Sequence, residues 1–518
     1  MSELPSQALE ANDDLADIRS LQSWEIVSLG DYIQSIESGK SFKCDERPPV
    51  ESEIGVIKIS AVTWGEYLEE ESKTCHNPSL VNEKFFINNG DFLFSRANTI
   101  ELVGACVIAS KVTKRIMLSD KILRINFKGL NPGYVLYFLR SRQGRVQIEA
   151  FSTGNQESMR NIGQQRIKSI QIPIPPFQEQ HRIVAKIETL FSELDKGIES
   201  LKIAREQLKV YRQAVLKHAF EGKLTAQWRE QNNDKLETPE QLLARISAPK
   251  QPRGGREASG EIIEGIAALS VNNPTKKAPD GWLWTPLLRI ARQETGHTPS
   301  RKHPEYWGGD QYWIGIVDAR QHHGQVIQDT LQKATKLGLE NSSARILCTD
   351  TVCLSRTASV GYVTIMGKPM ATSQDFATWS CTEALDPKFL MYALMAEGNE
   401  IRRFGKGTTH TTIYFPEIRA LHICLPSVQE QKVIVETVES KLQHVGKMVQ
   451  ETEDQLKRSE TLRQSILKKA FSGQLVPQDP NDEPASALLA RIQSEIAVQP
   501  KLSKSRKKTI RRGPSEAI

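Results

Sequence analysis

Little in this sequence belongs to a membrane or secreted protein. No stretch approaches the roughly 18 consecutive apolar residues of a membrane-spanning helix. The start, MSELPSQALEANDDLADI, lacks the basic end and apolar core of a signal peptide, so the chain is expected to stay in the cytoplasm. Cysteine is scarce and scattered: Cys44, Cys75, Cys106, Cys348, Cys353, Cys381 and Cys424, an odd number with no CxxC pair. That excludes the common zinc spacings and a disulfide framework, and reduced thiols are expected. Charge of one sign is also modest. A net +6 permits nucleic-acid binding without demanding it. The acid-free tail 501–513, KLSKSRKKTIRRG, holds part of the excess and reads as a solvated end.

Catalytic constellations are missing as well. Gly39-Lys40-Ser41 ends like a P-loop, but Gln34 stands where the first glycine must be. No HExxH occurs, and no glycine-rich nucleotide loop follows a strand. The pair His322-His323 has no companion acid at ligand spacing and reads as loop surface. Asn131-Pro132-Gly133-Tyr134 lacks the second proline of an Asn-Pro-Pro-Tyr methyltransferase signature. Its copy, Asp386-Pro387-Lys388-Phe389, departs further. Asn or Asp before Pro is what a helix N-cap and first turn require, and a cap accounts for both copies.

What is present is a repeat. PPFQEQHRIVAKIE recurs as PSVQEQKVIVETVE, so Gln178-Glu179-Gln180 maps onto Gln429-Glu430-Gln431. The same offset carries Leu216, Ala219, Phe220, Gly222 and Leu224 onto Leu467, Ala470, Phe471, Gly473 and Leu475. With small drifts, Trp24 matches Trp282, Ser95-Arg96 matches Ser355-Arg356, and LLARI occurs at 242–246 and 488–492. VIKISAV (56–62), DFLFSRA (91–97), ACVIAS (105–110) and ILRINF (122–127) alternate as strands do, and 132–139 reads as a helix. YWIGIVDA, TVCLSR and YVTIM follow in the same order in the second copy.

Each module ends in a long helix. Val184, Ile187, Phe191, Leu194, Ile198, Leu201, Leu208, Val215 and Ala219 step by threes, fours and sevens, as a coiled-coil seam does. Val435, Val438, Leu442, Val445, Val449, Leu456, Ile466 and Ala470 repeat the pattern. Arg205, Arg212, Thr452, Ser459 and Arg463 interrupt the seams. At ~1.5 Å per residue, about 54 Å of seam outruns a module of this size. The helices are therefore expected to pack on each other, antiparallel about a local two-fold axis, more than on their own modules. The fold class is α/β (α+β): two tandem α/β modules and two long helices in an internal repeat. The expected divisions are an N-terminal extension (1–21), module one (22–176), helix one (177–222), a helical segment and linker (223–279), module two (280–427), helix two (428–473), and a helical segment with basic tail (474–518).

The junctions IPIPPFQEQHRIV and ICLPSVQEQKVIV, the endings LKHAFEGKLTAQWRE and LKKAFSGQLVPQDPNDEPASALLARI, and DFLFSR and GWLWTPL carry a resemblance. The chain resembles the specificity (S) subunits of type I restriction–modification systems over about residues 22–495. TVCLSR and SVQEQ in the second copy depart from the usual pattern. The resemblance implies two target recognition domains, each reading half of a split site on double-stranded DNA, spaced by an antiparallel coiled coil. It implies two methylation (M) subunits and restriction (R) subunits as partners. S-adenosylmethionine, ATP and magnesium would sit on those partners, and this chain would hold no cofactor, no metal and no catalysis. A fused restriction enzyme and a protein-only coiled-coil adaptor are the competing readings.

Arg suits guanine, and Asn or Gln suits adenine. Loop positions of these kinds are the DNA-binding candidates: Lys40, Lys43, Arg96, Asn98, Asn155, Gln156 and Arg160 in module one. Module two offers Arg301, Lys302, Arg320, Gln321, Arg356, Lys406, Thr409 and His410. Arg96 and Arg356 recur in both halves, so a structural or phosphate role suits them better than base reading. Gln178, Glu179, Gln180, Gln429, Glu430 and Gln431 are candidates for capping and helix packing, or for contact with an M subunit.

Overall fold

The computed structural model describes residues 23–156, 159–232, 236–252, 269–271, 278–357, 359–405 and 411–498. The N-terminal extension, much of the linker, Lys406, Thr409, His410 and the basic tail lie outside the described residues. The chain forms two compact units, residues 1–200 with 455–518 and residues 201–454.

In the first unit the strands are β1 (Glu25–Ser28), β2 (Ile33–Ser38), β3 (Ile54–Ile57), β4 (Ser72–Cys75), β5 (Phe92–Ser95), β6 (Ala97–Asn98), β7 (Cys106–Ile108), β8 (Arg115–Met117), β9 (Ile122–Phe127), β10 (Thr153–Gln156), β11 (Met159–Asn161) and β12 (Gln171–Ile174). They pair as β2-β9-β5-β7, β4-β3-β8, β10-β11-β6 and β1-β12. The expected strand 56–62 is shorter, because the chain turns into a 3-10 helix at Ile59–Ala61. Helices α1 (Pro132–Arg140), α2 (Arg142–Phe151) and α3 (Gln164–Lys168) precede α4 (Phe177–Phe220).

The second unit continues with α5 (Ala226–Asn232), α6 (Pro239–Arg245), β13 (Leu269–Ser270), β14 (Leu283–Pro286), α7 (Leu287–Ile290), β15 (Ala291–Thr295), β16 (Trp307–Ile314), α8 (Ile316–Gln321), β17 (Val326–Ile327), β18 (Gln332–Ala334) and α9 (Lys336–Glu340). Then come β19 (Val352–Ser355), β20 (Val363–Met366), β21 (Ala371–Thr372), β22 (Phe376–Cys381), α10 (Pro387–Ala396), α11 (Phe415–Arg419), β23 (Leu421–Leu425) and α12 (Val428–Phe471). Its sheets are β15-β22-β19-β20-β17, β18-β16-β21 and β13-β23-β14. The duplication is thus topological. β3 pairs antiparallel with β4 and parallel with β8, as β16 does with β18 and β21. Part of the expected linker is structured. β13 extends a sheet, Val271 is buried, and Gln251 donates to the Leu288 and Ala291 carbonyls at 2.8 and 3.0 Å.

The unit division falls inside both long helices. In the first unit Ile183, Val184 and Ile187 of α4 share a core with Ile466, Leu467, Ala470 and Phe471 of α12. Arg463 pairs with Asp195 and lies 4.9 Å over the Phe191 ring, so this interruption of the seam is a used contact. In the second unit Leu216, Ala219 and Phe220 join Ile434, Val435 and Val438. Within each unit, then, the start of one helix lies with the end of the other, which is antiparallel. Each unit's module also takes part, so both packings weighed against each other from the seam lengths occur together.

The helices stop for a local reason. Gly222 and Gly473 adopt φ of +68° and +72°, conformations a Cβ resists. Lys223 N–H then reaches back to the His218 carbonyl at 3.0 Å, and Gln474 N–H to Lys469 at 2.9 Å. The LLARI segments follow. Leu242 and Leu243 of α6 enter the core of the second unit. Leu488 and Ile492 of the last helix, α13 (Ala485–Val498), enter that of the first. Each unit is therefore the same composite: a helix end, a short LLARI helix, a module and a helix start. The second reads in chain order; the first is assembled from the two parts of the chain on either side of it.

Candidate nucleic-acid interface

The junction motif Gln-Glu-Gln is internal glue at four of its six positions. Asn131 and Asp386 cap α1 and α10, accepting from Gly133 N–H at 2.8 Å and Lys388 N–H at 2.8 Å. Buried Gln180 and Gln431 hold those caps from the long helices. Their side-chain carbonyls accept from Asn131 N–H at 2.9 Å and Asp386 N–H at 2.8 Å. Their amides donate to the Pro175 and Pro426 carbonyls at 3.1 and 3.2 Å. Gln178 and Gln429 are exposed.

Buried Glu179 and Glu430 differ. Trp24 donates its indole N–H to Glu179 at 3.2 Å. Glu430 instead meets Arg229 at 2.8 Å and Thr225 at 2.7 Å, and the guanidinium lies 5.5 Å over Trp282. At the repeat positions of Thr225 and Arg229 the other copy has Val476 and Pro480. Burial accordingly pushes the Glu179 carboxyl up to about 7, against the Trp24 hydrogen bond and the Arg182 charge and aided by Asp482. The folded state therefore binds this proton more tightly than the unfolded one. The stabilisation is complete below the unfolded value of about 4.3 and is lost as pH rises to the folded value. Between about pH 5 and pH 8, unfolding of the first unit should show roughly 3 kcal/mol more loss than the same unit with Glu179→Gln, from ~1.36 kcal/mol per pKa unit. Parallel urea curves for the two proteins at both pH values would count against it.

Two equivalent loops leave each module at a crowded glycine. A Cβ on Gly39 would collide with the Leu118 carbonyl, and one on Gly296 with that of Thr372. Lys40 and Lys43 are exposed on the first loop, Arg301 and Lys302 on the second. Arg301 stacks over Trp307 and Trp313 at 5.0 and 5.9 Å and donates to Gln332 at 3.0 Å. Arg320 and Gln321 are exposed at the end of α8.

The small sheet β10-β11-β6 brings together the strands of Asn155, Gln156, Arg160 and Asn98, with Arg160 opposite Asn98. Arg160 is tied inward, donating to the Gly154 and Ser152 carbonyls at 3.0 and 3.2 Å. Asn98 accepts from Thr99 N–H at 2.9 Å. Arg96 is half-buried beside this sheet, its carbonyl accepting from Ile162 N–H at 2.9 Å. Arg356 lies 4.3 Å over Phe415 and donates to the Gln374 carbonyl at 2.9 Å, a packed role. His322 and His323 lie in a loop, the turn after α8, as expected, but both are only half-exposed and hydrogen-bonded. His322 donates to the Asp318 carbonyl at 3.0 Å, and half-buried His323 accepts from Val363 N–H at 3.0 Å. Burial and then Arg212 lower its pKa, because the α8–β17 turn packs inward.

Pattern reading missed a cationic aromatic cluster. Tyr312 and Lys333 are cross-strand partners in β16 and β18, and Lys333 and Lys368 lie 4.7 and 5.0 Å from the Tyr312 ring. Only the strand register reveals it. Lys333 also pairs with Asp329 at 3.0 Å. The equivalent sheet β4-β3-β8 is flanked by a different set of ion pairs. Arg47 pairs with Glu53 at 2.6 Å, Lys73 with Glu46 at 2.6 Å, and His76 with Asp45 at 2.6 Å. The two modules share a frame and present different chemistry on it. Among the described residues, no cluster of His, Cys, Asp and Glu could hold a metal, and no helix is long and apolar enough to cross a membrane.

Comparison with known proteins agrees with the repeat. The model of the Type I restriction modification DNA specificity domain matches residues 22–202 and 280–457. The EcoKI specificity subunit of Escherichia coli K12 is 25% identical over 73% of this chain and 74% of its own length. The Escherichia coli EcoBI specificity subunit is 22% identical over 94% and 95%. A local match to the Escherichia coli EcoEI specificity subunit reaches 31% identity over 35% of this chain and 31% of that one. The fold resembles the HsdS subunit of Thermoanaerobacter tengcongensis, with a TM-score of 0.52, 18% identity, and coverage of 88% and 98%. A chain solved in work on complex assembly and conformational transition of the type I R-M system gives a TM-score of 0.61 at 17% identity, covering 92% and 100%. With a family model matching both halves, the chain belongs to the type I restriction–modification DNA specificity family.

Proposed function

We propose that this chain is the sequence-specificity subunit of a type I restriction–modification complex, and that each module reads one half of a bipartite, gapped site on double-stranded DNA. The observation that carries this is one topology displayed twice with different side chains on equivalent sheets and loops, Tyr312, Lys333 and Lys368 against Arg47, Glu53 and Lys73. Residues 22–176 and 280–427 are the recognition domains in this reading, 177–222 and 428–473 the helical arms. Residues 1–21, 223–279 and 474–518 are the extension, linker and tail segments. Specificity gains by doubling, since each wrong base pair costs roughly 1–3 kcal/mol, near-additively at separated positions.

The exposed candidates Lys40, Lys43, Lys302, Arg320 and Gln321 are the first choices for DNA contact, with Arg301 and the Tyr312 lysines beside them. Arg160 and Arg356 serve to hold loops in place, and the recurring Arg96 stays a structural or phosphate-contact candidate. Exposed Gln178 and Gln429 are the junction positions open to an M subunit. Two M subunits would bring S-adenosylmethionine chemistry, and R subunits ATP and magnesium, in the cytoplasm. The purified chain is expected to transfer no methyl group. With its M subunits it should direct adenine methylation to one split motif. Methyl transfer by the chain alone, or an identical methylation pattern from M subunits without it, would overturn the assignment.

A further inference from the structure

The segment after β2 is fastened to β4 by one bridge, Asp45 opposite Thr74. Both bonds of that pair are made, Asp45 N–H to the Thr74 carbonyl and Thr74 N–H to the Asp45 carbonyl, each at 3.0 Å. The next position along this antiparallel ladder sets Cys44 against Cys75. A position adjoining a doubly bonded pair is the narrow kind, with Cα atoms about 4.5 Å apart and both side chains on one face. Disulfides form at Cα separations of roughly 4.4–6.8 Å, so this lies at the short end of their range. The two cysteines share a small core with Val56 and Met117. Cys106, Cys353, Cys381 and Cys424 have no cysteine opposite them in their strands, and Cys348 is exposed.

We propose that Cys44 and Cys75 are a modification site, a thiol pair that a peroxide converts to a reversible disulfide clasping the Lys40–Asp45 segment to β4. The half-exposed Cys44 reacts first. Its thiolate attacks one peroxide oxygen, the O–O bond breaks, and the departing hydroxide takes a proton to leave as water. The Cys75 thiol then attacks the sulfenic sulfur of Cys44. The S–O bond breaks, a second water leaves with the thiol proton, and the two sulfurs together have given up two electrons. Burial, and then the neighbouring Cys75, push the Cys44 thiol up, with Lys73 opposing, so the first step is slow at neutral pH. With Cys44 half-exposed, such a bond stays open to reduction, which makes it a switch and not a staple. In a reducing cytosol the dithiol is the resting form. None of this depends on what the module reads.

The test uses the full chain, treated with hydrogen peroxide at several pH values, quenched by alkylation, digested and weighed by mass spectrometry. The expected product is a peptide pair joined through Cys44 and Cys75 that dithiothreitol separates. Its formation rate should rise about tenfold per pH unit below the thiol pKa. Cys348→Ser should leave the yield unchanged, and Cys44→Ser should abolish it with Cys75 still open to alkylation after unfolding. If Cys348 is oxidised while Cys44 and Cys75 both stay alkylatable, or if Cys44 joins a different cysteine, the proposal fails. Because the native chain gives the deciding result, a variant that folds poorly does not obscure it.

Discussion

A chain ending at Asp454 is expected to lose its first module while its second stays folded. The deleted part supplies Ile466, Leu467, Ala470, Phe471, Leu488 and Ile492 to the core built on residues 24–187. Phe471 is fully buried, edge-on to Tyr134 at 5.2 Å and Phe138 at 5.3 Å. Each large side chain so removed withdraws roughly 1.5–3 kcal/mol of burial. The five large ones together come to about 7.5–15 kcal/mol, as much as the ~5–15 kcal/mol that holds a typical domain. The second unit keeps its own equivalents, Leu216, Phe220, Leu242 and Leu243. Hydrogen exchange read by mass spectrometry should show strands β2, β5 and β9 unprotected and β19, β20 and β22 protected. The milder Phe471→Ala, at about 3–5 kcal/mol, should destabilise the same unit without erasing it. Persistent protection of β5 and β9 in the truncated chain would mean that the shared core is not needed.

Replacing residues 22–174 with the matching module of a relative should change one half of the methylated motif and leave the other intact. The ends of this cassette lie side by side, with Glu25 opposite Ile174 in the β1-β12 pair. The graft must restore two contacts to the long helix, the Trp24 indole to Glu179 and the backbone N–H of position 131 to Gln180, so the donor module needs a Trp at the first position and a residue other than proline at the second. With several base pairs wrong at roughly 1–3 kcal/mol each, the original half-site should fall below detection. Sequencing of methylated genomic DNA gives the answer directly. A motif altered in both halves, or in neither, would count against two independent readers.

The repeat itself determined a good deal. Periodic Val, Ile and Leu set the two long helices, and Gly222 and Gly473 stop them because a left-handed turn suits glycine. Asn131-Pro132 and Asp386-Pro387 marked the starts of α1 and α10 because a short polar side chain and a fixed φ are what an N-cap needs. These are local effects, fixed within a few residues. The tertiary structure decided which module each helix end serves, since two similar cores offer similar apolar pockets and the choice rests on contacts between distant parts of the chain, such as Arg463 with Asp195. It likewise decided that Arg160 and Arg356 turn inward, that Glu430 has a guanidinium where Glu179 has an indole, and that Tyr312 gathers two lysines. A side chain's partners depend on strand register and on which segments close around it, and neither is written in the spacing of its neighbours.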